Sequence, residues 1–157
     1  MAEQQEKIAL LQKIAHRFNE AHVVWALGAS MMLYLKGIAP AFHDIDLMIS
    51  NEDVAYVRRI LSEMGALQPA NPNPKYQTKT FLKFVIDGID VDVMAGFSIL
   101  NNGTLYDCSL QEQQIVERMQ LGSERIPMQS PALWCEYYRL MGRPEKVQMI
   151  EKALKEE

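Results

Sequence analysis

The stretch His43-Asp44-Ile45-Asp46-Leu47-Met48-Ile49 decides how this chain reads. Apolar residues alternate with aspartate and then run on, which is the period of a β-strand. On such a strand Asp44 and Asp46 project from one face, while Ile45, Leu47 and Ile49 enter a core. Aspartate is a poor strand former and unpaired buried charge is costly. Two aspartates on one face of an apolar strand therefore need a reason. A second stretch repeats the pattern: Ile89-Asp90-Val91-Asp92-Val93-Met94. Four of the seven aspartates fall in these two pairs, so the acid is concentrated rather than spread.

Two carboxylate pairs on neighbouring strands suit a hard divalent cation. Mg²⁺, or Mn²⁺, binds through carboxylate oxygens together with substrate phosphates. Two such ions about 3.5–4 Å apart can clamp the attacking and leaving oxygens of a phosphoryl transfer. The competing reading is a solvated acidic sheet face that does no chemistry.

Working outward, Asp87-Gly88 separates the strand Thr78–Ile86 from Ile89–Met94, a strong signal for a two-residue hairpin turn. That turn sets Ile86 opposite Ile89, Val85 opposite Asp90, and Lys83 opposite Asp92. Directly opposed residues share a face, so Lys83 is expected beside the carboxylates. There it can neutralise Asp92 as a plain ion pair or reach a phosphate. Upstream, Val23 to Leu27 reads as a short buried strand ended by Gly28. Gly28-Ala29-Ser30 then leads into a helical piece, Met31 to Lys36, with Ser30 as the expected N-cap. A glycine there lets backbone approach a ligand, and a serine at a helix start can hold phosphate.

The rest of the chain supplies the frame. Glu3–Ala21 is expected to be a helix, from Ile8, Leu11, Ala15 and Phe18 at helical spacing. Asn51 is the expected cap of a helix reaching Met64. Residues 69–76, with three prolines, read as a loop. Ile115–Met128 reads as a weaker hairpin turning at Leu121-Gly122-Ser123, and Asn102-Gly103-Thr104 as a turn. Ser130-Pro131 and Pro144 open two final helices. The expected architecture is an α+β domain: a mixed β-sheet with helices packed on it over residues 1–129. A short C-terminal helical pair, residues 130–157, packs on the same domain.

Composition narrows the function. The 157 residues carry a formal net charge of −4, without the basic surplus of a sequence-independent nucleic-acid binder. An anionic small substrate stays open, since a metal or a few local cations can hold one. No apolar run reaches membrane length, and the opening Met1-Ala2-Glu3-Gln4-Gln5-Glu6-Lys7 is unlike a signal peptide. A cytoplasmic protein with no membrane partner, and with Cys108 and Cys135 as free thiols, is expected. Histidine and cysteine do not combine at zinc-site spacing, and no Gly-Lys-[Ser/Thr] P-loop follows a strand.

The apolar strand with Gly28-Ala29-Ser30, the Asp44-Ile45-Asp46 strand and the later Asp90-Val91-Asp92 strand together resemble the nucleotidyltransferase superfamily of polymerase-β-like fold. The resemblance covers roughly residues 20–95. It is nearest to small stand-alone bacterial members, such as antibiotic nucleotidyltransferases and those of abortive-infection or toxin–antitoxin systems. It implies that Gly28 and Ser30 contact the nucleotide phosphates and that Asp44 and Asp46 bind metal. It implies a third carboxylate at Asp92 or Asp90, able to accept the proton of the attacking hydroxyl. Asp92 is preferred, because Val93-Met94 after it matches the family's apolar ending. The implied reaction moves a nucleoside monophosphate from an NTP to an acceptor hydroxyl and releases pyrophosphate. Ala29 stands where members usually have a second glycine, and Ala41-Phe42-His43 where many have Arg and Thr.

Two other functions compete with this one. The chain can be a non-catalytic protein of the same fold, acting as a binding or toxin–antitoxin partner, or a plain interaction module. A homodimer completing the cleft is one arrangement open to so short a chain. His43 abuts Asp44 and can join the site as a ligand or proton carrier, against the commoner outcome of a surface or loop residue. Arg143 and Lys146 begin the last helix, where cations oppose the dipole. That placement hints at nucleotide or acceptor, against the commoner outcome of solvated charge.

Overall fold

The computed structural model describes residues 3–69 and 78–156. Helix α1 (Gln4–Glu20) leads into strand β1 (Trp25–Gly28) and the short helix α2 (Ala29–Leu35). Strand β2 (Ile45–Ile49) and helix α3 (Val54–Met64) follow, then β3 (Ala66–Leu67), β4 (Thr80–Ile86) and β5 (Ile89–Ala95). A second hairpin, β6 (Ser98–Asn101) and β7 (Thr104–Asp107), precedes a third, β8 (Glu117–Leu121) and β9 (Glu124–Met128). Helices α4 (Pro131–Met141) and α5 (Pro144–Lys155) come last.

Seven strands form one mixed sheet in the order β3-β4-β5-β2-β1-β9-β8. β2 runs parallel to β5 and β1 parallel to β9; the other pairs are antiparallel. The Asp87-Gly88 turn has φ of 53° and 77°, both positive as a type I′ hairpin requires. The register is the expected one, with Ile86 opposite Ile89, Val85 opposite Asp90 and Lys83 opposite Asp92. The architecture is α+β, as the alternation of elements implied.

Two faces of the sheet meet different partners. Trp25 on β1 meets Phe18 of α1 edge to face, with centroids 5.4 Å apart. Trp25, Leu27, Leu47 and Ile49 therefore share the face under α1, and all are buried. Gly28 and Asp46 belong to the opposite face. That face receives α4, whose Trp134 indole lies against Gly28. Trp134 is fixed in turn by Gln129, which is fully buried: the indole N–H donates to Gln129 Oε1 at 2.8 Å.

Several local expectations need correction. Ser30 does not cap α2; Gly28 holds the cap position and Ser30 lies inside the helix. Asn51 is not a cap either. The Ser50 hydroxyl accepts from the Glu52 N–H and starts a 3₁₀ turn over Asn51–Asp53 that continues into α3. Asp44 falls just outside β2 rather than on it. The turn at Asn102-Gly103 closes a full hairpin, β6–β7, where the residues alone predict only a turn. The proline loop, apart from Pro69, lies outside the described residues. Ser130 caps α4 as expected, its hydroxyl accepting from the Leu133 N–H, and Pro144 opens α5 as its first residue. Both cysteines are free and buried. Among the described residues, no helix is long and apolar enough to cross a membrane.

Candidate functional site

The register of three strand pairs aligns four residues in one row across the sheet. Lys83 on β4 faces Asp92 on β5, Asp92 neighbours Asp46 on β2, and Asp46 faces Gly28 on β1. A row of cross-strand partners shares a face. Two carboxylates thus stand side by side at the centre of the sheet, with a lysine at one end and the Gly28 turn at the other. Asp90 is two residues from Asp92 on the same face, opposite Val85.

Electrostatics bind this group together. Burial pushes the Asp46 carboxyl well above its ordinary range, and the charges of Asp92 and Asp44 add to the push, while Lys83 and Lys146 oppose it. Burial likewise lifts Asp92 from 3.8 to about 6; Lys83 opposes this, and Asp44 and Asp90 add to it. Asp44 thus acts on both members of the pair although it sits outside the strand. Lys83 Nζ lies 3.8 Å from Asp92 Oδ1, an ion-pair distance too long for a hydrogen bond. That oxygen is buried without any hydrogen-bond partner. Asp92 is only 8% exposed, so the orphaned oxygen is an unmet demand for a cation or donor. Among the described residues, no three Asp, Glu, His or Cys side chains already form a cage for a metal.

The turn after β1 holds two features. A Cβ on Gly28 would come within 2.7 Å of the Trp134 ring, so the missing side chain makes room for that indole. Ala29 follows at φ 55°, in the left-handed region that favours glycine. Backbone strain of this kind collects at functional turns. Helix α2 has only seven residues, so its dipole adds little at Ser30. The Ser30 hydroxyl instead accepts from Lys146 Nζ at 3.3 Å, across a separation of 116 residues. His43 is exposed beside the group.

The whole arrangement has counterparts among solved structures. A candidate nucleotidyltransferase from Thermotoga maritima matches with a TM-score of 0.76 and 26% identity, over 99% of this chain and 97% of that one. The chain has the nucleotidyltransferase fold. The antibiotic-resistance factor ANT(2″)-Ia shares this nucleotidyltransferase fold, with a TM-score of 0.68 and 12% identity over 97% of this chain and 86% of that one. The lincosamide antibiotic adenylyltransferase LnuA does so with a TM-score of 0.62 and 11% identity, over 96% and 97%. No family model and no curated protein matches the sequence.

Within this nucleotidyltransferase fold the structure gathers Asp46, Asp92, Lys83 and Gly28 in one row, with Asp44, Asp90 and Ser30 at its margins. Lys146 joins them from α5. Its only trace in the sequence is a cation at the unfavourable end of a helix. Trp134 supports the turn from α4, Gln129 just after β9 holds its indole, and no spacing rule pointed to either.

Proposed function

We propose that the chain is a nucleotidyltransferase enzyme. It transfers a nucleoside monophosphate from an NTP to a hydroxyl of a small-molecule or protein acceptor. The observation that carries this reading is the Asp46–Asp92 pair, side by side and in row with the Gly28 turn.

The residues fit a divalent cation. Asp92 Oδ1 is buried and orphaned, and the carboxylates repel one another across a shared face. Hard oxygen donors of this kind suit Mg²⁺ or Mn²⁺. Asp44, Asp46 and Asp92 would hold it, with Asp90 in reserve. A bound cation supplies charge neutralisation at the reacting phosphate.

The chain's own residues account for the remaining steps. Gly28 and Ser30 bind the nucleotide at one end of the row, and Lys83 draws phosphate charge at the other. The acceptor oxygen attacks the α-phosphorus, forming a new P–O bond. The bond from that phosphorus to the α–β bridging oxygen breaks, and pyrophosphate leaves with the electron pair. The acceptor's proton passes to the Asp92 carboxylate, which stands in the same row as the nucleotide-binding turn. Positioning and charge complementarity provide most of the acceleration. The acceptors of ANT(2″)-Ia and LnuA, tobramycin and lincomycin in their structures, are small molecules, which supports an acceptor of that class.

A second reading is a non-catalytic binding or toxin–antitoxin partner of the same fold. It is favoured by the absence, among the described residues, of a ready-made three-ligand cage. Pyrophosphate release separates the two. Each of the four NTPs is incubated with Mg²⁺ or Mn²⁺ and a panel of hydroxyl acceptors. Release that Asp92→Asn abolishes supports transfer. No release with any combination, from a protein that still binds NTP, favours the second reading.

A further inference from the structure

Gln129 is fully buried between the end of β9 and the start of α4, where an amide needs partners for each of its polar atoms. Its backbone N–H donates to the Leu27 carbonyl at 3.3 Å, one residue before Gly28. An indole N–H is a donor only, so the amide oxygen must face Trp134, and it accepts from Nε1 at 2.8 Å. The amide nitrogen then donates to Gln114 Oε1 at 3.3 Å. Gln114 is itself held, since the same oxygen accepts from the Gln111 N–H at 3.0 Å and its side chain hydrogen-bonds that of Tyr137. Tyr137 in turn meets the Trp134 ring edge to face, with centroids 5.2 Å apart. One buried amide thus ties the end of β1, the indole of α4 and the turn at Gln114 together.

The edge of the indole that Gln129 holds is the edge that meets the Gly28 turn. The atoms nearest the place of a Gly28 Cβ are Nε1, Cζ2 and Cε2, all within 2.8 Å of it. The next residue, Ala29, stands at φ 55°, a conformation that is strained for alanine and persists only where the surroundings impose it. Phe97 and Tyr138 also pack on the indole, with centroids 6.0 and 5.5 Å away. Such apolar packing is non-directional, whereas a hydrogen bond fixes which edge points where. An apolar side chain at position 129 could fill the same space, but it would leave the indole N–H buried without an acceptor.

We infer that Gln129 is a positioning residue for the nucleotide: through the Trp134 indole it holds the Gly28-Ala29 turn in the shape that receives the nucleoside triphosphate. This rests on the nucleotidyl-transfer reading above. Gln129 is fully buried and acts through the indole, without touching the nucleotide.

Equilibrium binding of ATP, GTP, CTP and UTP, each with Mg²⁺, to the full chain tests it, well below the melting temperature of each variant. Gln129→Met is expected to weaken NTP binding by about tenfold, the scale of a lost buried hydrogen bond and a displaced turn. Trp134→Phe, which lacks the N–H, should lose a similar amount, and the double variant should lose little more. A second measurement needs no variant. Titrating ¹⁵N-labelled wild type with NTP and Mg²⁺ should move the Trp134 indole N–H resonance. The Trp25 indole, bonded to Asn19 on the other face of the sheet, should stay in place. A Gln129→Met protein that melts lower yet binds NTP as wild type does overturns the inference and leaves the transfer reading standing, because the amide is then only structural. Losses that add in the double variant also overturn it, since Gln129 then does not act through the indole. Should Gln129→Met not fold, the wild-type titration decides alone, and an unmoved Trp134 resonance overturns the inference. If the wild-type chain binds no NTP, the transfer reading fails and the inference falls with it.

Discussion

Asp46 and Asp92 are direct neighbours on the parallel strands β2 and β5, with their side chains on one face of the sheet. Burial pushes each carboxyl toward its neutral form; the charges of Asp92 and Asp44 add to the push on Asp46, and those of Asp44 and Asp90 to the push on Asp92. The native fold tolerates this arrangement at a cost in stability, which is the pattern expected where binding sets the requirement.

Removing one charge should therefore stabilise the metal-free protein. Asp92→Asn and Asp46→Asn are expected to raise the melting temperature in the presence of a chelator. A gain of about 1 kcal/mol corresponds to roughly 2–4 °C for a domain of this size. Both variants should lose nucleotidyl transfer. Unchanged melts would show that the two carboxylates do not oppose each other.

Burial, with the neighbouring carboxylates, fixes a pH dependence. A folded-state value above the unfolded one means that the folded chain holds the proton more tightly. For Asp92 that advantage is fully present below 3.8 and is lost as pH rises through about 6. Asp46 acts in the same direction. Relative to Asp92→Asn, the metal-free wild type should lose stability across that window, by on the order of 2–3 kcal/mol. Urea unfolding at a series of pH values measures the difference. Saturating Mg²⁺ should stabilise the wild type most at neutral pH, where the carboxylates are ionised, and so flatten the profile.

Gly28 faces the Trp134 indole at a distance no side chain tolerates. Gly28→Ala should cost about 1–3 kcal/mol, the usual range for overpacking. A double-mutant cycle with Trp134→Leu measures how much of that cost is the clash. The pair should be strongly non-additive, with the smaller side chain relieving the alanine. Full additivity would assign the glycine to another role.

Ala29 offers the opposite case. It holds φ 55° without the freedom of glycine. Ala29→Gly should stabilise the chain by up to about 1 kcal/mol, since a left-handed alanine is strained by 1–2 kcal/mol and glycine returns part of that as unfolded-state entropy. Equilibrium unfolding in urea would show it. A destabilised variant would mean that the neighbouring contacts, rather than the turn, set this angle.

The carboxylate row was legible because period-two alternation and a two-residue turn leave little choice of register. Once Asp87-Gly88 is a hairpin, Lys83 must face Asp92. The parallel pairing of β2 with β5 was not legible, because it joins strands far apart in the chain and no local signal encodes it. Capping was read less well. Ser30 and Asn51 are both good caps by residue type, but Gly28 and Ser50 hold those positions. The backbone geometry on either side decided the outcome, and residue preference did not. Lys146 showed only as a cation at the unfavourable end of a helix, and Trp134 not at all, for the reason that hid β2–β5: tertiary packing alone brings them to Ser30 and Gly28.

The parallel contact between β1 and β9, through Leu27 and Met128, has a consequence for synthesis. A ribosome releases the chain from its N-terminal side at about 5–20 residues per second. Strand β1 is therefore made well before the strand that covers its open edge. For several seconds or more, on the same estimate, an emerging chain presents an apolar strand with one unpaired side. Productive folding of this protein is thus a race between translation of residues 124–128 and capture of that edge by another nascent chain, and slow codons between the two strands would tilt the outcome toward aggregation.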